Sequence, residues 1–99
     1  MPAYSIVAVT VKDKQLFQKY VDGHVDSLSR FGGRFLAAGS EFEVIEGAWP
    51  GEVLVAHEWP DREAFHAWYA SAEYQPWKEM RFAAAEANIV LIDGLPASG

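Results

Sequence analysis

The 99-residue chain contains no cysteine. This absence excludes disulfide bonds, thiolate nucleophiles and metal sites built on cysteine. Basic residues are also scarce, with eight Lys and Arg against fourteen Asp and Glu and a net charge of −6. Because nucleic acids and anionic membranes are bound through concentrated positive charge, we expect neither as a partner.

Long apolar runs are missing as well. No stretch approaches the roughly 20 apolar residues that span a bilayer, and residues 1–4 carry no basic leader. We therefore expect a soluble, cytoplasmic protein. The histidines His24, His57 and His66 do not have zinc-motif spacing, and no phosphate-cradling glycine loop or G-x-S-x-G elbow occurs. We expect no metal and no cofactor.

Aromatic and aliphatic side chains are abundant instead. Hydrophobic residues form 51% of the chain, with four Trp, four Tyr and six Phe. This content favours a globular domain whose aromatic residues lie in a core, an interface or a pocket. The length suits one domain, which we assign to residues 1–94, and residues 95–99 are expected to form a loose tail.

Runs of β-branched and alternating residues predict the strands. They are expected at residues 4–11, 34–38, 52–59 and 89–92. Residues 41–46 are expected to extend the second strand beyond a bulge at Gly39-Ser40.

Helical spacing of apolar residues predicts three helices. The first follows a cap at Asp13, carries His24 within its apolar face and ends at Gly32-Gly33. The second follows a cap at Asp61, and Ser71 could cap the third. The apolar side of the third helix is expected to contain Trp77, Met80, Ala83, Ala84 and Ala87.

This element order repeats strand–helix–strand and predicts an α+β, ferredoxin-like βαββαβ fold. Its four-stranded antiparallel sheet would carry the helices on one face. The strands are apolar on both sides, although a solvent-facing side should be polar. We therefore expect a homodimer formed through the sheet faces. A compatible alternative is that part of one apolar face lines a ligand cavity.

Several local motifs resemble one family. They are FGGRFL at residues 31–36, VIEG at 44–47 with Trp49, EWP at 58–60, AWYASAEY at 67–74, and the following Arg81. In combination they resemble the signatures of the domain of unknown function 1330 family, from about residue 4 to residue 94. Ala8, His24 and Ala72 depart from the common residues at their positions.

The resemblance implies a dimeric α/β-barrel, in which two ferredoxin-like sheets pack face to face. The wider superfamily includes cofactor-independent oxygenases, haem-handling enzymes, isomerase-like proteins and stress-response barrels. Because these functions are so diverse, the resemblance does not choose among them.

Two side chains on apolar helix faces are the first candidates for chemistry. His24 could be a general base or an axial haem ligand, or a core histidine satisfied by a hydrogen bond. Arg81 could hold a ligand carboxylate, or pair with Glu58 or a terminal carboxylate as a structural group. A ligand-binding set consisting of Tyr20, His24, Trp68, Tyr69 and Arg81 is expected, although helically spaced aromatics are often simply core.

His57 and Glu58 are adjacent on a strand and must point to opposite faces. The sequence does not say which of them faces the helices. A buried Glu58 could be a base with a raised pKa, or the anion of a structural salt bridge.

Two functional hypotheses therefore stand. The first is a dimeric protein that binds a small organic molecule between helices and sheet without catalysis. The second is a cofactor-independent enzyme, in which Arg81 orients an acidic substrate and His24 or Glu58 transfers a proton.

Overall fold

The computed structural model describes residues 1–96; the tail expected at residues 95–99 therefore lies largely outside the described residues. The elements follow the order β–α–β–β–α–α–β. Their bounds are β1 Ala3–Val11, α1 Lys14–Arg30, β2 Arg34–Gly39, β3 Val53–Trp59, α2 Arg62–Ala70, α3 Gln75–Ala84 and β4 Ala85–Asp93. None of the described helices combines the length and apolar character needed to cross a membrane.

The helix ends follow the local sequence signals. The Asp13 side chain accepts a hydrogen bond from the Leu16 amide, and Asp61 accepts one from the Ala64 amide. Gly32, with φ of +88°, ends the first helix in the conformation that glycine adopts most readily. These caps confirm the helix starts predicted from the sequence.

The four strands form one antiparallel sheet in the order β2-β3-β1-β4. With the helices on one side, this is the ferredoxin-like arrangement expected from the element order. The long central pairings place Ser5 opposite His57 and Leu91. A register shift between Phe35 and Ala37 interrupts the pairing of β2 with β3.

Two predictions about the strands are wrong. Residues 41–46 form no strand, because the segment that would pair with them contains Gly47, Pro50 and Gly51, which supply poor partners for a ladder. The last strand begins at Ala85 and not at residue 89, so Ala87 is not part of a helix. Pairing of β4 with β1 along its whole length overrides the helical propensity of these alanines.

The two faces of the sheet have different environments. Ser5, Val7 and Val9 of the central strand are buried on the inner face, beneath the helices. On the outer face, Val90 and Ile92 remain 61% and 59% exposed. The helices of this chain thus leave an apolar outer surface uncovered.

Close contact between α1 and α3 fixes the spacing of the helical layer. A Cβ atom placed on Gly23 would lie only 2.2 Å from the Cη2 atom of Trp77. Glycine therefore allows the indole ring to pack directly on the backbone of α1. One turn away, the hydroxyl groups of Tyr20 and Tyr74 meet at 2.7 Å.

Candidate functional site

A cavity of about 290 Å³ lies between the inner face of the sheet and the helices. Most of its wall is apolar, with contributions from every strand and every helix. The polar groups that interrupt this wall are Ser5, Tyr20, His24, His57, Tyr74 and Arg81. A small apolar cavity with a few converging polar groups is the usual form of a small-molecule site.

Arg81 is buried in this wall without a carboxylate partner. Its side chain is 4% exposed, and none of the ion pairs among the described residues includes it. Its Nε donates a long hydrogen bond of 3.4 Å to the hydroxyl of Tyr74, while its Nη2 has no partner among the described residues. Burial works to lower the pKa of Arg81, but the neighbouring Tyr74 and Tyr20 hydroxyls outweigh it and raise the pKa. The guanidinium therefore stays charged.

The tyrosine pair beside Arg81 does not neutralise it. The hydroxyl groups of Tyr20 and Tyr74 share a hydrogen bond of 2.7 Å. Burial raises the pKa of both phenols above the ordinary value, and the mutual contact raises that of Tyr20 further. Both groups therefore remain neutral and offer Arg81 dipoles only.

His24 lies on α1 beside the tyrosine pair. Its Nδ1 is 2.7 Å from the backbone carbonyl of Tyr20, and its ring stacks on the Tyr20 ring with centroids 4.2 Å apart. A carbonyl oxygen only accepts, so Nδ1 carries the proton and Nε2 of the neutral ring is an acceptor. Burial lowers the pKa of His24, which favours this neutral form.

His57 faces the helices, and it lines the cavity although the sequence did not single it out as a site residue. Its Nδ1 is 2.8 Å from the Ser5 hydroxyl, which also accepts a hydrogen bond from the Trp59 indole. Burial, with a smaller contribution from His24, lowers the pKa of His57 to about 4. Alternation groups His57 with Val53, Val55 and Trp59, but Leu54 and Ala56 make the other side of the strand apolar as well, so the sequence carried no signal for its direction.

Phe35, which the sequence also did not single out, joins the two histidines. Its ring meets that of His24 with centroids 5.8 Å apart and that of His57 at 4.7 Å. The histidines thus belong to one wall of the cavity. The bulge in β2 that follows this residue was not predicted at this position by any pattern in the sequence.

The structure brings together four of the expected ligand-binding residues and separates two candidates from them. Tyr20, His24, Trp68 and Arg81 line the cavity. The ring of Tyr69 lies outside it, with the Lys78 ammonium 4.1 Å above its centroid.

Glu58 is on the outer face of the sheet, one residue beyond His57. It pairs there with Arg34 and accepts a hydrogen bond of 3.2 Å from the Tyr4 hydroxyl. The expectation that Glu58 serves as a base together with Arg81 is therefore wrong, because strand alternation turns its carboxylate away from the cavity. The position of Glu58 beside Arg34 corresponds to the other alternative, the anion of a structural salt bridge. The described residues contain no cluster of His, Asp and Glu able to hold a metal ion.

The lowered pKa of His57 makes stability depend on pH. The folded pKa is about 4 and the ordinary value is 6.5, so the unfolded chain binds the additional proton between these limits. The free energy of unfolding contributed by this group is complete above the ordinary value and declines as the pH falls. We expect a loss of about 3 kcal/mol by the lower limit. Urea denaturation over this pH range measures it.

The control is His57→Asn, which keeps an acceptor for Ser5 but cannot take up a proton. Other groups, including His24 with its lowered pKa, contribute to both proteins and cancel in the comparison. The wild-type curve should fall more steeply than that of the variant, and parallel curves would contradict the prediction.

Known structures share this architecture at low sequence identity. The RPA0582 protein of unknown function from Rhodopseudomonas palustris has a TM-score of 0.80 at 16% identity, covering 95% of this chain and 82% of its own. SnoaB, a cofactor-independent oxygenase from Streptomyces nogalater, has a TM-score of 0.72 at 15% identity, covering 97% and 95%. At these identities the likeness establishes the fold alone.

A third similar structure is described as a dimeric protein of unknown function with a ferredoxin-like fold, from Bacteroides fragilis. Its TM-score is 0.61 at 12% identity, covering 94% of this chain and 96% of its own. No curated protein matches the chain.

The motifs at residues 31–36, 44–47, 58–60 and 67–74 are part of a match that extends over almost the whole sequence. The family described as a domain of unknown function, DUF1330, matches residues 2–95. This agreement confirms the resemblance drawn from the motifs, and the chain belongs to the DUF1330 family.

Proposed function

We propose that this protein binds a small organic anion in the cavity between helices and sheet, with Arg81 holding the anionic oxygen. The observation that carries the proposal is a buried guanidinium with an unpartnered Nη2 and no carboxylate beside it among the described residues. A buried charge without a counter-charge costs several kcal/mol, and an incoming anion would offset that cost.

The rest of the wall supports an apolar body for this anion. Trp68 and Tyr20 contribute aromatic surface, and the volume of about 290 Å³ suits a molecule of one or two rings. We retain Tyr20, His24, Trp68 and Arg81 as the proposed ligand contacts. Tyr69, which lies outside the cavity, is not among them.

Replacing Arg81 tests this proposal in two measurements on the same variant. Arg81→Met removes the charge and keeps the length of the side chain. Hydrocinnamate is a suitable probe because it joins one ring to one carboxylate, and hydrocinnamamide is its neutral counterpart. We expect Arg81→Met to weaken hydrocinnamate binding by about 10- to 100-fold, measured by calorimetry, while the wild type favours the acid over the amide.

The same substitution should make the empty protein more stable, by about 1–3 kcal/mol in urea denaturation, because it removes an uncompensated buried charge. Arg34→Met is the matched control, since Arg34 pairs with Glu58 near the surface and should leave hydrocinnamate binding unchanged. Destabilisation by Arg81→Met, with unchanged affinity for hydrocinnamate, would show Arg81 to be a structural group.

A second candidate function is proton transfer on such an anion, favoured by the hydrogen bond of His24. Donation from Nδ1 to the Tyr20 carbonyl leaves the Nε2 lone pair free. In the proposed step, Nε2 takes a proton from a carbon next to a carbonyl group. The electron pair of that C–H bond forms a C=C bond while the π pair of the carbonyl group moves to its oxygen, which gives an enolate. His24 exchanges the proton with solvent and then delivers a proton to the same carbon.

Deuterium exchange tests this step. In D₂O the wild-type protein should accelerate exchange at the methylene group of phenylpyruvate, followed by proton NMR. His24→Leu should lower the rate by about 100-fold or more and still bind hydrocinnamate. His66→Leu, at an exposed histidine of α2, is the control. A wild-type rate equal to that of buffer would leave a binding protein without this activity.

We also propose that two copies pack through the outer faces of their sheets to form a homodimer. Ile6, Leu54, Val90 and Ile92 supply an apolar surface that the helices of the same chain do not cover. A similar structure from Bacteroides fragilis is described as dimeric. A stable sheet-to-sheet contact of this kind buries on the order of 1,000 Å² or more.

The molecular mass from light scattering, measured for the wild type and for two variants that each carry one added charge, tests the dimer. The wild type should have twice the 11.0 kDa chain mass at micromolar concentration. Val90→Glu places a charge in the proposed interface and should give the monomer, whereas Ala83→Glu adds the same charge on exposed α3 and should remain dimeric. A monomeric wild type, or a dimer in both variants, would contradict this assembly.

The remaining expectations from the sequence enter the proposal unchanged. We propose that residues 1–94 act as one domain and that the protein works in the cytoplasm. The negative net charge of −6 favours a small-molecule ligand over nucleic acid or an anionic membrane surface.

A further inference from the structure

Three buried side chains on the inner face of the sheet form a hydrogen-bonded series. The Trp59 indole Nε1 donates to the Ser5 hydroxyl at 2.9 Å, and the Ser5 oxygen lies 2.8 Å from Nδ1 of His57. Their exposed fractions are 1%, 0% and 5%. Ser5 and His57 face each other across β1 and β3, so the sheet register itself holds this series in place.

The chemistry of the three groups fixes the direction of the bonds. An indole N–H can only donate, so the Ser5 oxygen is its acceptor. The Ser5 hydroxyl proton has one acceptor among the described residues, Nδ1 of His57. Satisfying that proton requires an unprotonated Nδ1, which assigns the proton of the neutral imidazole to Nε2. Burial favours the neutral form by lowering the pKa of His57.

Nε2 of His57 is a donor without an acceptor. It is buried, it has no partner among the described residues, and its ring lines the cavity. Leaving such a group unsatisfied is unfavourable, and nearly all buried polar groups in proteins have a partner. On the same wall, Nε2 of His24 has the opposite character, because its Nδ1 carries the proton. The two imidazoles are thus not equivalent.

We infer that His57 is a further ligand-binding group, whose Nε2–H donates to a carbonyl oxygen of the bound anion, and that Ser5 and Trp59 position it. The inference rests on the proposed anion site at Arg81 and narrows the ligand class. The ligand is a compact oxo acid or a related carbonyl-bearing anion. Arg81 binds its anionic oxygen, His57 binds its carbonyl oxygen, and the apolar wall covers the remainder.

A carbonyl group suits this position better than the other common oxygen functions. It accepts a hydrogen bond and has no proton that would need an acceptor in return. Amino groups would set donor against donor, and an apolar substituent would leave Nε2 unsatisfied. Sites of this kind reject an analogue that lacks the bonding oxygen, because their own polar group stays unpaired.

Pairs of acids that differ by one carbonyl oxygen test the inference. Phenylpyruvate and benzoylacetate are compared with hydrocinnamate, and benzoylpropionate with phenylbutyrate, so the carbonyl is sampled at three distances from the carboxylate. In calorimetry, wild-type protein should bind at least one oxo acid about 10-fold more tightly than its counterpart. Hydrocinnamate affinity reports on the Arg81 site without the carbonyl contact.

Two substitutions of His57 distinguish the hydrogen bond donated by Nε2 from the packing of the side chain. Asn can replace Nδ1 as the acceptor for Ser5 but does not reach the Nε2 position, whereas Gln can place an amide N–H there. His57→Asn should abolish the preference for oxo acids and leave hydrocinnamate affinity within about twofold, and His57→Gln should keep part of the preference.

The role of Ser5 is tested with a matched serine. Ser5→Ala removes the hydroxyl that fixes the His57 tautomer. Ser27→Ala removes a buried hydroxyl that likewise accepts from an indole, that of Trp68, but does not contact His57. Nitrogen-15 NMR of the imidazole should show protonated Nε2 in the wild type and in Ser27→Ala. A changed tautomer mixture and a weaker oxo-acid preference are expected in Ser5→Ala only.

The outcomes separate this inference from the proposed function. If the wild type binds none of the acids, the Arg81 site itself is rejected, and the role of His57 with it. If it binds all acids but never prefers an oxo acid, or if Nδ1 of His57 carries the proton, only the inference about His57 is overturned. A preference that survives His57→Asn would likewise assign the carbonyl contact to another group.

Discussion

A positive charge enclosed without a negative one is the constraint on which the site depends. Arg81 donates from Nε to the Tyr74 hydroxyl and its Cζ lies 5.0 Å from the centroid of the Phe82 ring, while burial keeps the pKa values of the Tyr20 and Tyr74 phenols too high for them to ionise. Charged side chains are rarely tolerated in such surroundings unless they are paired or used. The apolar cavity beside it supplies space in which a counter-charge can be accommodated.

The fold gives the two cavity histidines different chemistry through their backbone settings. His24 is on a helix, where its Nδ1 reaches the carbonyl of Tyr20 one turn earlier, so its other nitrogen is an acceptor. His57 is on a strand, where its Nδ1 meets the Ser5 hydroxyl across the ladder, and in the inferred tautomer its other nitrogen is a donor. One residue type thus presents an acceptor nitrogen on one element and, in the inferred tautomer, a donor nitrogen on another.

Much of the fold could be predicted because its signals are local. Asp13 and Asp61 mark the helix starts through side-chain caps, and alternation along β1 sorts its side chains correctly between the two faces. The start of β4 could not be predicted, because pairing with β1 decides it and alanines favour a helix on their own. The strand predicted at residues 41–46 does not form for a related reason, because a strand also needs a neighbouring segment with which to pair.

Helical periodicity predicted the direction of the site residues on α1 and α3. On β3 the only signal is the alternation of side chains between two faces, which leaves the direction of each side chain open. The apolar arcs of α1 and α3 pointed His24 and Arg81 towards the sheet, where the cavity now contains both. On β3, alternation separates His57 from Glu58 but cannot say which one faces inward. Only the packing of the helices on one side answers that question, and it turns Glu58 towards Arg34 and away from the cavity.

The contact of Gly23 with Trp77 has an evolutionary consequence. Because the ring lies where a methyl group on residue 23 would be, these two positions share one volume. Relatives with a larger residue at the first position should carry a smaller one at the second, and substitutions at the two sites should be correlated across the family. Selection for a particular ligand could therefore produce correlated substitutions at residues 23 and 77, although neither residue lines the cavity.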